Sequence, residues 1–95
     1  MAVYVDEITD YGDIAKAAGL RTTRWAHLTA DTREELHAFA DRIGLRRAWF
    51  QHPNDYRWHY DVTPGKRTAA LHAGAQPIDR HGLAALMATR RSAHP

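Results

Sequence analysis

Cysteine is absent from the 95 residues. That excludes a disulfide framework, a thiolate metal site and cysteine catalysis. Serine occurs once, at Ser92 close to the carboxyl end, so serine-hydrolase chemistry is excluded as well. No apolar run approaches the roughly 18 residues of a membrane span. The opening Met1-Ala2-Val3-Tyr4-Val5-Asp6 has no basic start and carries an acid at position 6, unlike a secretory signal. The expected location is therefore cytoplasmic, with no membrane partner. No Gly-rich dinucleotide fingerprint follows a strand, and Gly65-Lys66 lacks the upstream glycine of a P-loop, because Tyr60 stands there. The zinc patterns H-x-x-x-H and H-E-x-x-H are missing too. Lysine is scarce, at 2 residues against 11 arginines.

What is present is an ordinary globular balance, 44% hydrophobic and 25% charged. At 10.8 kDa it fits one domain, expected over residues 1–91 with a frayed tail at 92–95. The formal charge of +2 is too weak by itself to mark a nucleic-acid binder. Charge is uneven, however. Residues 1–62 carry 8 basic and 10 acidic groups, and residues 63–95 carry 5 basic and 1 acidic. The last third suits either an anionic ligand or a solvated face. Seven histidines stand out in so short a chain.

Val3-Tyr4-Val5 predicts a first strand over 2–6. Asp13 caps a short helix to Ala18, with Gly19 beyond its end. Residues 25–29 read as a second strand, with Ala26 and Leu28 on one face and Trp25, His27 and Thr29 on the other. Asp31 or Thr32 caps the clearest helix. Its apolar stripe is Leu36, Phe39, Ala40 and Ile43, and Gly44 stops it. Residues 47–51 are expected as a third strand, followed by a turn at His52-Pro53-Asn54-Asp55. Trp58, Tyr60 and Val62 alternate with His59 and Asp61 in an extended segment. Thr63 then caps a helix that has Pro64 at its first position and ends at Gly74. Gln76-Pro77-Ile78 is a connector or brief strand, and Asp79 caps a last helix to about Arg90. Strands alternating with helices predict an α/β domain with a small, mostly parallel sheet of three to four strands and helices packed on it.

Several of these blocks together carry a resemblance. They are Val3-Tyr4-Val5-Asp6, Trp25-Ala26-His27-Leu28-Thr29-Ala30-Asp31, Glu35-Leu36-His37-Ala38-Phe39-Ala40, Ile43-Gly44-Leu45, Trp49-Phe50-Gln51, His59-Tyr60-Asp61-Val62-Thr63 and Lys66-Arg67. Over roughly residues 2–75 the chain resembles domain of unknown function family 4031, a family of small bacterial and phage proteins. The resemblance implies a stand-alone small domain and carries no catalytic assignment.

The chemistry rests on histidine and aspartate. His59 and Asp61 are two apart, so on a strand they point the same way. His27 lies on the polar-capable face of its strand. Asp6 and Asp31 end strands, where ligands collect in open α/β sheets. Asp6, Asp31, His27 and His59 form a candidate divalent-metal set for Mn²⁺, Zn²⁺ or Mg²⁺. His27, His59 and Asp61 are the candidate catalytic groups, with an imidazole as general base. Each also has a plainer role: Asp31 as a helix cap, His27 as a half-buried strand residue, His59 and Asp61 as a structural pair. His37 is expected on the helix surface, four residues before Asp41. His52, His72, His81 and His94 read as surface residues. Thr63, Lys66 and Arg67 at a helix start form a candidate phosphate cradle, or cations neutralised by Asp61 and Asp79. Trp25, Trp49, Phe50, Tyr56, Trp58 and Tyr60, interleaved with Arg46, Arg47 and Arg57, form a base-stacking surface or a core with its rim.

Two functions fit these features. One is a metal-assisted phosphoesterase or phosphate-ligand protein acting on a nucleotide or nucleic acid. The other is a non-enzymatic module for protein or nucleic-acid interaction, including a homodimer, in which the histidines are structural.

Overall fold

The computed structural model describes residues 2–19 and 22–93. Strand β1 (Val3–Val5) leads through β2 (Thr9–Asp10) and helix α1 (Gly12–Ala17) to the longest strand, β3 (Arg24–Ala30). Helix α2 (Arg33–Arg42), a 3-10 turn (Arg47–Trp49) and strands β4 (Phe50–Gln51) and β5 (His59–Val62) follow. Helix α3 (Pro64–His72), strand β6 (Gln76–Pro77) and helix α4 (Arg80–Ala93) complete the order.

The sheet is mixed and mostly antiparallel, in the order β4-β5-β3-β1-β6, with β2 also paired to β3. Among the described residues only β1 and β6 pair in parallel. This corrects the expected mostly parallel sheet of three to four strands. The alternation of strands and helices was read as a chain of crossovers between neighbours. Two of the three strand pairs joined by a helix do run parallel, β3 with β4 across α2 and β5 with β6 across α3, while β2 and β3, joined by α1, are antiparallel. The parallel pairs are not neighbours. Strand β5 separates the first pair, and β3 and β1 separate the second.

Opposed residues of an antiparallel pair share a face. Val5 opposes Leu28, which opposes Tyr60, and Ala26 opposes Val62. All five are buried, and with Leu36, Phe39 and Ala40 of α2 and Ala70 of α3 they make the core. The other face carries Tyr4 opposite Thr29, His27 opposite Asp61, and Gln51 opposite His59. Its chemistry is therefore polar along its whole width.

The helix ends follow their sequence signals. The Thr32 hydroxyl accepts from Glu35 N at 3.2 Å, the first half of a capping box, and donates to the Glu35 carboxylate at 3.0 Å, so that carboxylate meets the hydroxyl and not the Thr32 N–H. Thr32, not Asp31, is thus the cap. Thr63 accepts from Lys66 N at 3.3 Å ahead of Pro64. Helices α2 and α3 close alike. Leu45 N donates to Ala40 O at 2.9 Å and Ala75 N to Ala70 O at 3.0 Å, around Gly44 (φ 79°) and Gly74 (φ 107°). Those left-handed positions are open to glycine at no steric cost.

Three expected elements shift. Residues 47–49 form the 3-10 turn, so only Phe50 and Gln51 remain to pair with β5. Helix α1 starts after Tyr11, and Asp13 lies in its first turn rather than capping it. Helix α4 continues to Ala93, past the expected end at about Arg90; His94 and Pro95 lie outside the described residues. No described helix is long and apolar enough to cross a membrane.

Candidate metal centre

Three strands meet at the polar face around His27. Between Val5 and Thr9 lie three residues, against two on β3 between Leu28 and Trp25. This extra residue bulges the chain between β1 and β2 and aims the buried Asp6 at His27. Asp6 N donates to His27 O at 3.1 Å. The Asp6 carboxylate accepts the His27 backbone N–H at 2.6 Å and sits 2.8 Å from His27 Nδ1. From the next strand, His59 Nδ1 donates to the Arg57 carbonyl at 2.6 Å, and His59 Nε2 lies 3.1 Å from Asp61 Oδ1. The two imidazole centroids are 4.9 Å apart.

A carboxylate and a carbonyl only accept, so each ring carries its proton on Nδ1. In its neutral form the His27 ring then presents an Nε2 lone pair, whereas His59 Nε2 faces the Asp61 carboxylate, where a cation between the two would take the place of a proton. One ligand atom each from His27, His59 and Asp61 falls within 4.8 Å of the other two. His59 is buried and His27 half-buried, while the Asp61 carboxylate is partly open to solvent. The hydrogen bond that His27 donates to Asp6 raises its pKa above the ordinary value, against an opposing effect of burial. A carboxylate behind one histidine and a carbonyl behind the other are the outer partners that fix tautomer and ring orientation in metal sites.

The residues expected from sequence divide. His27, His59 and Asp61 come together, with Asp6 behind His27. Asp31 stands elsewhere. It lies four residues along the chain from His27, roughly 13 Å at about 3.3 Å per strand residue, and accepts from Ala2 N at 2.8 Å and the Tyr4 hydroxyl at 2.9 Å. The basic helix start is occupied by the fold. Lys66 Nζ donates to Ile43 O at 2.6 Å, at the carboxyl end of α2, and Arg67 Nε donates to Asp6 O at 2.8 Å. The Thr63 hydroxyl is the α3 cap. Neither cation is neutralised by Asp61 or Asp79 in an ion pair among the described residues.

His37 departs from its expected surface position, and His52, exposed as expected, still reaches the centre. His37 points inward, with Nδ1 2.8 Å from the Tyr60 hydroxyl and its ring edge-on to Phe50. Burial, then the nearby Arg47, lowers its pKa. His52 adopts φ 54°, a left-handed value uncommon for a side-chain-bearing residue. Its ring stacks beside His59 at 5.6 Å. The turn residues around Pro53 signalled a reversal, but not that it would bring a further imidazole to the centre. Tyr11 was not singled out by the sequence either. It stacks on Trp25 at 4.1 Å and stands edge-on to His27 at 6.4 Å.

A family model described as protein of unknown function (DUF4031) matches residues 3–90. No curated protein and no solved structure matches the chain. The matched span takes in every residue of the centre, from Asp6 to Asp61, and all six strands. With nearly its full length covered, the chain belongs to the DUF4031 family.

Proposed function

We propose that this protein binds one divalent metal ion through His27, His59 and Asp61 and uses it to hydrolyse a phosphoester. The observation that carries the reading is the convergence of the three ligand atoms within 4.8 Å, with both Nδ1 atoms already taken. Two imidazoles and a carboxylate suit Zn²⁺ better than Mg²⁺, which prefers an all-oxygen shell. Three protein ligands leave a coordination position for water, as catalytic zinc sites do.

The same hydrogen bonds favour the ligand role over the base role for the histidines. With Nδ1 protonated and Nε2 on the metal, neither ring is left to act as a base. Held by His27, His59 and Asp61, such an ion would supply charge for the phosphoryl group and a water acidified to about pKa 7 as the nucleophile. Attack of that water on phosphorus would break the P–O bond to the leaving group, whose oxygen would take a proton from solvent. Thr63 caps α3, and Lys66 Nζ and Arg67 Nε each give one hydrogen bond to a backbone carbonyl, which holds α2, α3 and the Asp6 segment around the centre; each cation keeps further N–H donors for a phosphate.

Calorimetric titration of chelator-stripped protein with Zn²⁺ tests the first half. One ion per chain is expected. His27→Ala, His59→Ala and Asp61→Ala should each abolish the transition while circular dichroism stays unchanged. Absence of binding in the unaltered protein overturns the reading. Turnover of bis(p-nitrophenyl) phosphate by the zinc-loaded protein tests the second half. Binding without turnover of this or a nucleotide ester removes the hydrolase and leaves the interaction module as the better account.

A further inference from the structure

We infer that the cleft beside Asp61 holds the base of a nucleotide whose phosphate reaches the metal, an inference that rests on the preceding reading for the phosphate but not for the base. A cleft of about 210 Å³ opens next to Asp61, between Trp25 and Trp49. Trp25 precedes Ala26, the partner of Val62, and Trp49 precedes Phe50, the partner of Tyr60. Trp25 shares the β3 face of His27, opposite Asp61, and both indoles line the cleft with Asp61, one from each side of β5.

Trp49 is 45% exposed, one of two large apolar side chains left open among the described residues. An indole is costly to leave in water, and the 3-10 turn holds it there. Its position is fixed. Trp49 N donates to Arg46 O at 2.9 Å, and the Gln51 side chain donates to Trp49 O at 3.3 Å. The Arg46 guanidinium lies 5.9 Å from the ring centroid, adding a cation at the rim. Trp25 is braced by Tyr11, stacked on one of its faces at an interplanar angle of 16°. It offers the cleft its other face or its edge.

The size and lining select the ligand class. The volume lies below the roughly 300–1,000 Å³ that encloses a drug-sized molecule, so the cleft takes one flat ring system and leaves the rest outside. Its polar groups are largely engaged already. The Thr22 hydroxyl is bonded to Arg24, and Thr63 caps α3. Recognition is then by stacking, which any base satisfies, rather than by reading base edges. Asp61 belongs both to the cleft and to the ligand trio. A base seated between the indoles thus places the sugar and phosphate beside the metal.

The test separates base from phosphate. Binding of adenosine, AMP and ribose 5-phosphate is measured by calorimetry on chelator-stripped and zinc-loaded full-length protein. Adenosine should bind both forms. AMP should bind the zinc form about tenfold or more tighter than ribose 5-phosphate, the range one stacked base supplies. Trp49→Ala should erase that preference and leave zinc affinity intact; Trp49→Phe should retain part of it. If AMP and ribose 5-phosphate bind the zinc form equally, or Trp49→Ala leaves the preference unchanged, the cleft assignment is overturned. If adenosine binds but zinc adds nothing for AMP, the metal reading fails and the cleft assignment stands.

Discussion

Asp6 engages His27 with both carboxylate oxygens, one on the backbone N–H at 2.6 Å and one 2.8 Å from Nδ1. It orients the ring and is not itself among the three converging ligands. Asp6→Asn keeps the shape but loses the charge that favours Nδ1–H and makes Nε2 a better donor to a metal. Outer partners of this kind are worth about 10–100-fold in metal affinity. The expected outcome is a fall of that size in the zinc association constant, with the fold intact by circular dichroism. Unchanged affinity would reduce Asp6 to a strand-edge residue. At this scale the pairing of His59 with Asp61 was legible, because two-residue spacing on a strand fixes the side. The task of Asp6 was not, because it depends on a bulge that only the pairing of β1 and β2 with β3 creates.

Helix α4 shows how little of an element's anchorage its hydropathy reveals. Leu83, Leu86 and Met87 form the apolar stripe expected of it, yet no residue of the helix is fully buried. Arg90 ties it down instead. Its guanidinium lies 3.4 Å from the Trp58 ring centroid and donates to Thr29 Oγ1 and Ala30 O at 2.6 Å each, and to Trp58 O at 3.1 Å. Burial lowers its pKa to about 10, which still leaves it charged at neutral pH. Arg90→Ala strands several acceptors beneath a buried ring and should cost about 2 kcal/mol in chemical denaturation. Arg90→Lys should recover only a minor part, because an ammonium cannot stack flat on the indole and feed these acceptors together. Full recovery by lysine would show that charge alone matters. The caps of α2 and α3 were readable because capping is local chemistry. The anchor at Arg90 joins residues about sixty positions apart, and no window along the sequence contains both.

Across the whole molecule, two histidines pull stability in opposite directions with pH. His37, held between α2 and the sheet against Tyr60 and Phe50, has a lowered pKa through burial. Below its unfolded value near 6.5 the unfolded chain binds the extra proton more readily, so this contribution is present above that pH and lost as pH falls through it. His27 has a raised pKa through Asp6, so its contribution is present below 6.5 and lost as pH rises through the folded value. Thermal melts of His37→Asn and the unaltered protein between about pH 7.5 and pH 5 isolate the first. The unaltered protein should lose more of its melting temperature on acidification than the variant. Parallel curves would show that His37 is not held neutral by the fold.

The sequence by itself determined the elements whose causes lie within a few residues. The capped helices, the glycine stops, the alternation at 58–62 and the α/β class all rest on local sterics, hydrogen bonding and periodicity. It also placed His59 and Asp61 on one side of a strand. Tertiary structure decided the rest, because strand order and direction are settled by which faces pack together across long loops. That packing put β5 between β3 and β4, turning an expected parallel sheet into a mostly antiparallel one. The same step set His27 opposite Asp61 and gave Lys66 and Arg67 to backbone carbonyls.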